Sequence, residues 1–552
     1  MHDASSPVFA HPLPPGRSLA DGQARELCDG RLNVDSVSIA GTASAEAVRE
    51  ALELSLASLA RLQGTFAFAA VDERRGILCL ARDASGSQGL YFRRDEHGVV
   101  HHAGELRRLA DTLPDAPAIS ADGLAEYLRF LDITPPQTIY DGLYAVPPGH
   151  AVIFGRDHIG FVDLQHTPFA TMPERYECAL DDVETRLRQS IADGTRHARS
   201  AAAFLSGGVD SALLCAVGRT HIGEAITLGF DDGHYDESGI ASSVAAHLGL
   251  RHTVLRPGDN DFRTLFIRTH GESEQPFCDP AGMATRFAFE YCRHRHDQVI
   301  DGTGAEILPG TMPARWRRWA LDYASHLPRR VRKHIATLPG MGSYRRMFDF
   351  DDPEDLFIRW QGFRSGEIRQ LTGRPVDLQR TRFYRVFRSL RTSSHLQRQS
   401  ILQGTLQPDD RIRQASWSTG VPCMHPYLDA SVGPMLAALP PHWCVERNRP
   451  KRLLRDLLRR HVPETLWEQP KHGFEFDFRR FMRGHRSELV KSCLLDDAAS
   501  LDRLLSRTTI RPIYDRWSAG DDTVSFRIWA LLVLSVWLRH GSLAHGQPVM
   551  SR

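Results

Sequence analysis

The segment FLSGGVDSALL places a glycine turn between an apolar run and a helical pattern. Its chemically useful residues are Ser206, Gly207 and Gly208, followed closely by Asp210 and Ser211. The first backbone N–H groups of a helix attract anions, and glycine lets a phosphate approach them closely. An acid beside phosphates makes chemical sense when a cation such as Mg²⁺ lies between them. The segment is therefore consistent with a phosphate-binding loop or with an ordinary glycine turn.

Two further charged residues lie in glycine-containing turns. Glu306 belongs to DGTGAEILPG, which again follows an apolar run, and it could share one Mg²⁺ with Asp210. The alternative is that Glu306 caps or solvates the start of a helix. Lys471 lies in the loop PKHGF, where a lone lysine is usually a solvated surface residue. These residues could form one site only if the fold brings their turns together.

The chain up to Gln165 has the pattern of an α+β domain. GTFAFAAVD and GILCLARD are short apolar runs separated by a turn, and GVVHHAG and HAVIFGRDHIGFVDL continue this strand pattern. ADGLAEYLRFL has a helical period. This order predicts an antiparallel sheet accompanied by a helix, and the segment from His166 to Pro173 has the composition of a linker.

After the linker, apolar runs alternate with helical patterns. AAAFLSGG, EAITLGF and HDQVIDGTG each end in a glycine-rich turn, and helices such as ESGIASSVAAHLG lie between them. This alternation predicts parallel βαβ units and an open, doubly wound sheet. Ligands of such sheets bind beyond the carboxyl ends of the strands, so all three turns should lie at that edge. Beyond Thr311 the sequence predicts mostly helix.

The composition limits the possible classes of protein. The chain has 552 residues, with 68 Lys and Arg against 67 Asp and Glu, so a global basic field for nucleic acid is absent. The nine cysteines include no C-x-x-C pair, which argues against a zinc site and favours a reducing cytoplasm. The start has no signal-peptide pattern, and IWALLVLSVWL is too short for a membrane span of about 20 residues. We therefore expect a cytoplasmic protein that binds neither membrane nor nucleic acid.

Together these motifs resemble the asparagine synthetase family. FLSGGVDS resembles its pyrophosphate loop, DGTGAE a second glycine-rich loop, GVPCMHPYLD a segment ending in Pro-Phe-Leu-Asp, and PKHGF its Lys-x-Gly-Phe loop. The segment from LQGTFAFAAVD to GELRRL is similar to the second half of the family's glutaminase domain. The resemblance implies an α+β Ntn-hydrolase-like sandwich at residues 1–165 and a linker at 166–175. It implies an α/β PP-loop domain, like that of adenine-nucleotide α-hydrolases, with a helical C-terminal part at 176–552.

The resemblance also implies a reaction and its residues. A carboxylate attacks the α-phosphate of ATP to give an acyl-adenylate and pyrophosphate, and an amine then displaces AMP to form an amide. The residues implied to bind pyrophosphate are Ser206, Gly207, Gly208 and Ser211. Those implied to border the adenosine are Leu205, Leu228 and Gly302. Asp210 and Glu306 would hold Mg²⁺, while Lys471 and Thr303 would lie at the catalytic centre, with Lys471 stabilising the phosphate charge.

The first departure from the family concerns the source of the amine. Family members that use glutamine have a nucleophilic cysteine at position 2, where this chain has His2, and the first cysteine is Cys28. The family's Asn-Gly-Glu glutamine-binding loop is also missing. Without that thiolate the domain cannot release ammonia from glutamine by the family's route. We therefore expect a degenerate glutaminase domain and an amine supplied by the substrate itself.

The second departure concerns the general base. Asparagine synthetases have a glutamate at the position of Thr303, and β-lactam synthetases have a tyrosine there, paired with a glutamate at the position of Pro422. A free α-amino group, with a pKa of about 8, attacks an acyl-adenylate with less help than a hindered nitrogen. The missing bases therefore favour a substrate with a primary amine. His425 is either a weak base or a packed structural histidine, and Glu306 replaces the usual aspartate.

These departures resemble the lasso-peptide macrocyclases, which join an Asp or Glu side chain of a precursor peptide to its N-terminal amine. The resemblance implies a precursor peptide as substrate and a leader peptidase as partner protein. The basic segment from Arg315 to Lys333, with Trp316 and Trp319, could line a peptide groove or be a solvated helical face. The alternatives are an ammonia-dependent asparagine synthetase, a β-lactam-synthetase-like enzyme and a non-catalytic nucleotide-binding scaffold.

Overall fold

The computed structural model of the chain describes parts of the sequence from residue 9 to residue 540. The described residues are 9–12, 17–18, 36–41, 43–62, 64–155, 158–164, 173–229, 236–305, 324, 327–341, 348–349, 358, 362–389, 410–446, 449–468, 477–483, 486–496 and 499–540. Within them, two sheets form in the N-terminal part, and a third sheet begins at Ala201.

The strands of the N-terminal part form two sheets. These strands are β1 Phe9–Pro12, β2 Arg17–Ser18, β3 Ser36–Gly41, β4 Phe66–Asp72, β5 Ile77–Arg82, β6 Tyr91–Arg94, β7 Val99–Ala103, β8 Tyr144–Ala145, β9 His150–Phe154 and β10 His158–Asp163. One sheet has the order β1-β7-β6-β8, and the other has the order β2-β10-β9-β5-β4-β3. All neighbours are antiparallel except β2 and β10, which are parallel.

The alternation of residues in β4 shows how the two sheets pack. Successive side chains of a strand point to opposite faces of the sheet. Ala67 and Ala69 face the four-stranded sheet and share a buried apolar cluster with it. Phe66 and Phe68 lie on the opposite face, where they pack with the helix Ala45–Leu54. The six-stranded sheet is therefore covered on one face by a sheet and on the other by a helix.

The strands after the linker form a parallel sheet. They are β11 Ala201–Phe204, β12 Glu224–Leu228, β13 His252–Leu255, β14 Gln298–Ile300 and β15 Cys423–Met424. All four pairings are parallel, and the order is β13-β12-β11-β14-β15. The direction of winding reverses between β11 and β14, and a ligand crevice lies outside the carboxyl ends of the strands at such a switch point.

Helices surround the sheets and form much of the chain after residue 325. They are α1 Ala45–Leu54, α2 Leu106–Ala110, α3 Ala121–Phe130, α4 Tyr176–Thr195, α5 Val209–Val217, α6 Ser238–Leu248, α7 Asp259–Gly271, α8 Gly282–Cys292, α9 Arg329–Ala336, α10 Ser365–Thr372, α11 Arg382–Ser389, α12 Asp410–Thr419, α13 Gly433–Ala438, α14 Pro441–Cys444, α15 Arg452–Arg459, α16 Phe478–Met482, α17 Ser487–Lys491, α18 Ala499–Asp502, α19 Arg507–Ser518 and α20 Ser525–His540.

The longest apolar run lies in α20. Every residue from Ile528 to Leu538 is buried, so this run is a core helix, as predicted. The helix contacts the N-terminal part, where the Tyr127 hydroxyl donates a hydrogen bond to the Ala530 carbonyl at 2.7 Å. In the part of the chain that the structure describes, we find no helix with the length and hydropathy of a membrane span.

Glu274 connects the N-terminal part to the rest of the chain. Its buried carboxylate accepts hydrogen bonds from the Tyr91 hydroxyl at 2.9 Å and from the Leu106 backbone N–H at 2.7 Å. Arg413 of α12 donates to the same carboxylate at 2.9 Å. A buried carboxylate requires such partners. The network therefore ties both parts of the chain to the helix that precedes β15.

The structure confirms the elements with the clearest sequence patterns, corrects one expectation and adds short strands to a region predicted as mostly helix. The parallel pair of β2 and β10 contradicts a purely antiparallel N-terminal sheet. The mostly helical prediction beyond Thr311 missed β15 and the hairpin of Val445–Glu446 with Arg449–Pro450. Strands of two residues have no readable period, so only their pairing reveals them. The boundary at residues 166–175 stays a prediction, since residues 165–172 lie outside the described residues.

We predict that His270 makes the stability of this fold depend on pH. It is fully buried in α7 against the rings of Phe266, Phe277 and Trp529. Burial disfavours the charged imidazole and lowers the pKa of His270 to about 3. Unfolding therefore takes up a proton below the unfolded pKa of about 6.5. The free energy of unfolding should fall by up to about 1.4 kcal/mol per unit as pH drops from there towards 3.

Urea unfolding of the wild type and of His270→Phe at about pH 7, 5.5 and 4.5 measures this effect. The variant has no group to protonate at this position, so its stability should fall less steeply with acid than that of the wild type. His221→Phe, at an exposed position, is the control and should keep the wild-type slope. An unchanged slope in His270→Phe would contradict the prediction.

Candidate active site at the switch point of the parallel sheet

The segment after β11 forms a tight loop at the start of α5. The Ser206 hydroxyl accepts a hydrogen bond from the Gly208 N–H at 3.1 Å, and the Ser211 hydroxyl accepts one from the Ser206 N–H at 3.0 Å. Gly208 precedes the first residue of α5, and among the described residues no side chain caps this helix. The two serines therefore shape a glycine turn at a helix N-terminus, an arrangement that suits an anion.

Glu237 contacts this loop from the start of α6, and sequence reasoning missed it. Its carboxylate is buried and accepts a hydrogen bond from the Gly207 N–H at 3.1 Å. A Cβ added at Gly207 would lie 3.1 Å from the Glu237 side chain, so this close approach favours glycine. Glu237 therefore occupies one of the amides that the sequence assigned to pyrophosphate.

The two carboxylate oxygens of Asp210 have different surroundings. Oδ2 forms an ion pair with Nζ of Lys451. Oδ1 is buried and has no hydrogen-bond partner among the residues that the structure describes. The Tyr427 hydroxyl donates to the Asp210 backbone carbonyl at 2.9 Å, which fixes the first turn of α5. A buried carboxylate oxygen without a donor is costly unless a cation or a ligand donor completes it.

Lys451 reaches Asp210 from the residue before α15. Its backbone has a φ of +60° and a ψ of +38°, the left-handed region that non-glycine residues seldom adopt. This conformation costs about 1–2 kcal/mol, and such strain is concentrated at functional sites. The Lys451 side chain is 20% exposed, so its ammonium group borders solvent as well as Asp210.

The oxygen atoms at this position fit a divalent cation. Mg²⁺ prefers oxygen ligands and is usually held by one or two carboxylates together with substrate phosphates. Oδ1 of Asp210 is such an oxygen, buried and without a donor in the described part of the chain. Glu306, the second expected ligand, lies outside the described residues. Among the described residues, the fit of a divalent cation to this site therefore depends on the Asp210 carboxylate.

The residues expected to border the adenosine lie at one edge of the sheet. Leu205 follows β11, Leu228 ends β12, and Gly302 lies just beyond β14. A Cβ added at Gly302 would lie 3.5 Å from the Cβ of Asp210, so the second glycine turn rests against the first loop. The expectation that these turns meet at the carboxyl edge is confirmed. The binding roles of these residues stay predictions.

Gly304→Ala is expected to destabilise the protein by roughly 2–4 kcal/mol. Gly304 has a φ of +102°, and an added Cβ would lie 2.6 Å from Cγ of Leu428, so strain and overpacking add. Thermal unfolding measures the effect. Gly302→Ala is the control, because its Cβ would make only ordinary contacts at 3.5 Å. Similar melting temperatures for the two variants would contradict this account.

Asp301 and His425 form a second pair at the carboxyl ends of β14 and β15. His425 Nδ1 lies 3.6 Å from Asp301 Oδ1, and the Thr303 N–H donates to that oxygen at 2.9 Å. Burial would raise the pKa of Asp301, but His425, Arg411 and Thr303 together hold it well below its ordinary value. Asp301 is therefore ionised at neutral pH. Pro422 lies at the opposite, amino end of β15.

Several predicted residues lie outside the described residues. They are His2, Cys28, Glu306, Trp316, Trp319 and Lys471. The described site instead adds Glu237, Asp301 and Lys451 to the predicted set. Of these residues, Asp301 belongs to a segment that the motifs had singled out, DGTGAE. Their partners are distant in the sequence, so the motifs alone gave no signal of these contacts.

Cys79 is the only cysteine among the described residues of the N-terminal part. It lies fully buried in β5, and burial raises the pKa of its thiol to about 12. A thiol with this pKa is protonated at neutral pH and is a poor nucleophile. In the N-terminal residues that the structure describes, we therefore find no cysteine suited to attack glutamine.

Comparisons with known proteins match both parts of the chain. The asparagine synthase family model matches residues 182–539, and the glutamine amidotransferase domain model matches residues 31–164. A Mycobacterium tuberculosis H37Rv protein, named provisionally as a glutamine-hydrolyzing asparagine synthetase, is 24% identical over 87% of this chain and 77% of its own. Asparagine synthetase (glutamine-hydrolyzing) 1 of Bacillus subtilis 168 is 22% identical over 86% of this chain and 77% of its own.

Among solved structures, NMN synthetase from Francisella tularensis covers 27% of this chain and 59% of its own, at 17% identity. Its TM-score of 0.19 is too low to support an argument about fold. The family model, in contrast, spans well over half of the sequence and includes the phosphate loop, the Asp301–His425 pair and Lys451. The chain therefore belongs to the asparagine synthase family.

Proposed function

We propose that this protein is an ATP-dependent, AMP-forming amide ligase that acts on a peptide. In this proposal it joins an Asp or Glu side chain of the peptide to the peptide's own N-terminal amine. Family membership supports an ATP-dependent amide ligase. The activation step is argued from the partly buried Asp210 carboxylate at the switch point, whose Oδ1 atom is fully buried. One of its oxygens is paired with Lys451, and the other lacks a described donor.

The first step activates the substrate carboxylate. Its oxygen bonds to the α-phosphorus of ATP, the bond between the α-phosphorus and its bridging oxygen breaks, and pyrophosphate leaves with the electron pair. The N-terminus of α5, which no described side chain caps, favours binding of the departing phosphates, and Gly207 and Gly208 let them approach it closely. Lys451 offsets the charge that develops on them. Mg²⁺, when held by Asp210 and Glu306, would neutralise further phosphate charge.

The second step forms the amide. The amine nitrogen bonds to the activated carbonyl carbon, the bond to the AMP oxygen breaks, and the nitrogen loses a proton. Thr303 and Pro422 supply neither the glutamate nor the tyrosine expected for a less reactive nitrogen, which supports a free primary amine as the nucleophile.

A second candidate function is ammonia-dependent asparagine synthesis. It is favoured by the curated relatives, which carry asparagine synthetase names over most of this chain. It requires a pocket for free aspartate, and the glutamate that asparagine synthetases have at the position of Thr303 is absent from this chain. We therefore prefer the peptide ligase.

Pyrophosphate release separates these functions. The purified protein is incubated with ATP and Mg²⁺ in two arms. The first arm contains aspartate with ammonium chloride. The second contains a panel of synthetic peptides, each with a free N-terminal amine and one internal Asp or Glu at a different position. N-acetylated copies of the same peptides are the matched controls, because they keep the carboxylate and lack the amine.

We expect pyrophosphate release with one or more peptides and a product lighter than the peptide by one water. The acetylated copies should give no such product. Release with aspartate alone, accompanied by asparagine, would replace the proposal with the second candidate. Binding of ATP without release in any arm would favour a nucleotide-binding scaffold and would overturn the proposed function.

A further inference from the structure

The Asp301–His425 pair borders the crevice on the side away from β12. β14 is the neighbour of β11, and β15 is the neighbour of β14. The Asp301 N–H donates to the Met424 carbonyl at 3.1 Å, which holds the two strand ends in register. Gly302, the next residue, rests against Asp210 at the start of α5. The pair therefore lies beside the place where a carboxylate activated at the phosphate loop would be attacked.

We propose that His425 is the base that takes the proton from the attacking amine, and that Asp301 positions it. The inference rests on the proposed amide ligase and adds a residue for its second step. Neither His425 nor Asp301 lies at position 303 or 422, where the resemblance implies a base and this chain has Thr303 and Pro422. The chain would thus supply the missing base from other residues of the same two segments, DGTGAE and GVPCMHPYLD.

The geometry of the pair suits this role. Nδ1 of His425 lies 3.6 Å from Asp301 Oδ1, an ion-pair distance longer than a hydrogen bond, and Nε2 lies on the opposite side of the ring. The Asp301 carboxylate is itself held by the Thr303 N–H. Both side chains are largely buried, at 5% and 13% exposed, and burying an ionised carboxylate is costly.

The proton balance of the step is simple. When the amine nitrogen bonds to the acyl-adenylate carbon, AMP leaves with the electron pair of the broken carbon–oxygen bond. The nitrogen then carries one proton too many, and this proton passes to Nε2 of His425. Asp301 stabilises the imidazolium that results, and the charge of Arg411 near Asp301 balances the carboxylate before the transfer.

Hydroxylamine separates this role from a structural one. It captures an acyl-adenylate as a hydroxamate and, being a strong nucleophile that is largely unprotonated at neutral pH, needs little help from a base. The assay uses ATP, Mg²⁺ and the peptide that releases pyrophosphate with the wild type. Hydroxamate, cyclised peptide and ATP–pyrophosphate exchange are measured for the wild type, His425→Ala, His425→Gln and Asp301→Asn. His442→Ala, at an exposed histidine, is the matched control.

His425→Ala and His425→Gln should lower peptide cyclisation about 100-fold while keeping exchange and hydroxamate yield within about threefold of the wild type. Asp301→Asn should show the same split with a loss of about tenfold or more in cyclisation. The control should match the wild type. ATP–pyrophosphate exchange also shows whether each variant is folded. His425→Gln preserves more of the histidine side-chain volume than His425→Ala does.

Two results would overturn the assignment while leaving the ligase intact. One is unchanged cyclisation by both His425 variants. The other is an equal fall in cyclisation, hydroxamate and exchange, which marks a structural role. Failure of the proposed function is distinguishable, because the wild type itself would then give no exchange and no hydroxamate with any peptide, and the assignment would fall with it.

Discussion

Asp210→Asn is expected to lower ATP-dependent pyrophosphate release by more than about 10³-fold. Asparagine keeps the shape of the side chain but removes the negative charge that Lys451 and a cation share. Its amide nitrogen would also replace one carboxylate oxygen with a donor, which cannot bind a cation. Initial rates at saturating ATP and Mg²⁺, with the peptide that supports release by the wild type, give the measurement.

The control for Asp210→Asn is Asp182→Asn. Asp182 is paired with Arg186 on the surface of α4 at 2.8 Å, so the same chemical change there removes an ion pair away from the crevice. Its rate should stay within about twofold of the wild type, because surface ion pairs contribute little. Retention of more than a tenth of the wild-type rate by a folded Asp210→Asn protein would exclude the proposed activation site.

The contacts of Asp210 and Gly207 bear on how the loop would receive a triphosphate. The ammonium group of Lys451 compensates the Asp210 carboxylate, while Glu237 accepts the N–H of Gly207. Arrival of a triphosphate brings several negative charges to the same loop. In the proposed reaction, phosphate oxygens would compete with Glu237 for that amide and would give Lys451 partners in addition to Asp210.

The glycine turns could be predicted because the residues that form each turn are neighbours in the sequence. A strand, a turn of Ser and Gly and a helix start lie within a few residues of each other, and the parallel topology brings such turns to one edge. Lys451 is 241 residues from Asp210, and Glu237 is 30 residues from Gly207. Contacts at such separations are decided by packing of the whole domain, so no short motif contains them.

The proposed general base, His425, shows a different limit of prediction from the sequence. The side chains at the family's two base positions, Thr303 and Pro422, cannot accept a proton. The structure shows that Thr303 contributes its backbone N–H to Asp301, and that β15 runs from Pro422 towards His425. Which residue at the end of so short a strand faces the crevice depends on the pairing of β15 with β14. A pattern of residue types does not contain that information.

Lys451→Ala is expected to lower pyrophosphate release by about 10²–10³-fold. The residue supplies the described ammonium group that contacts the phosphate loop through Asp210, and pyrophosphate cannot leave easily without compensation of its charge. The affinity for ATP should change less than the rate, because charge on the leaving group is greatest in the transition state. Lys491→Ala, which removes a partly exposed lysine paired with Asp496, is the control and should retain the wild-type rate.

The backbone of Lys451 allows its functional and structural contributions to be separated. Glycine accepts a φ of +60° without the steric cost that alanine bears. Lys451→Gly should therefore be more stable to urea than Lys451→Ala by about 0.5–1 kcal/mol, although both variants lack the ammonium group. If the ammonium group is what the reaction requires, the two variants will be equally slow. If Lys451→Gly recovers activity in parallel with stability, the lysine serves the fold of the loop, and its proposed role in pyrophosphate release is wrong.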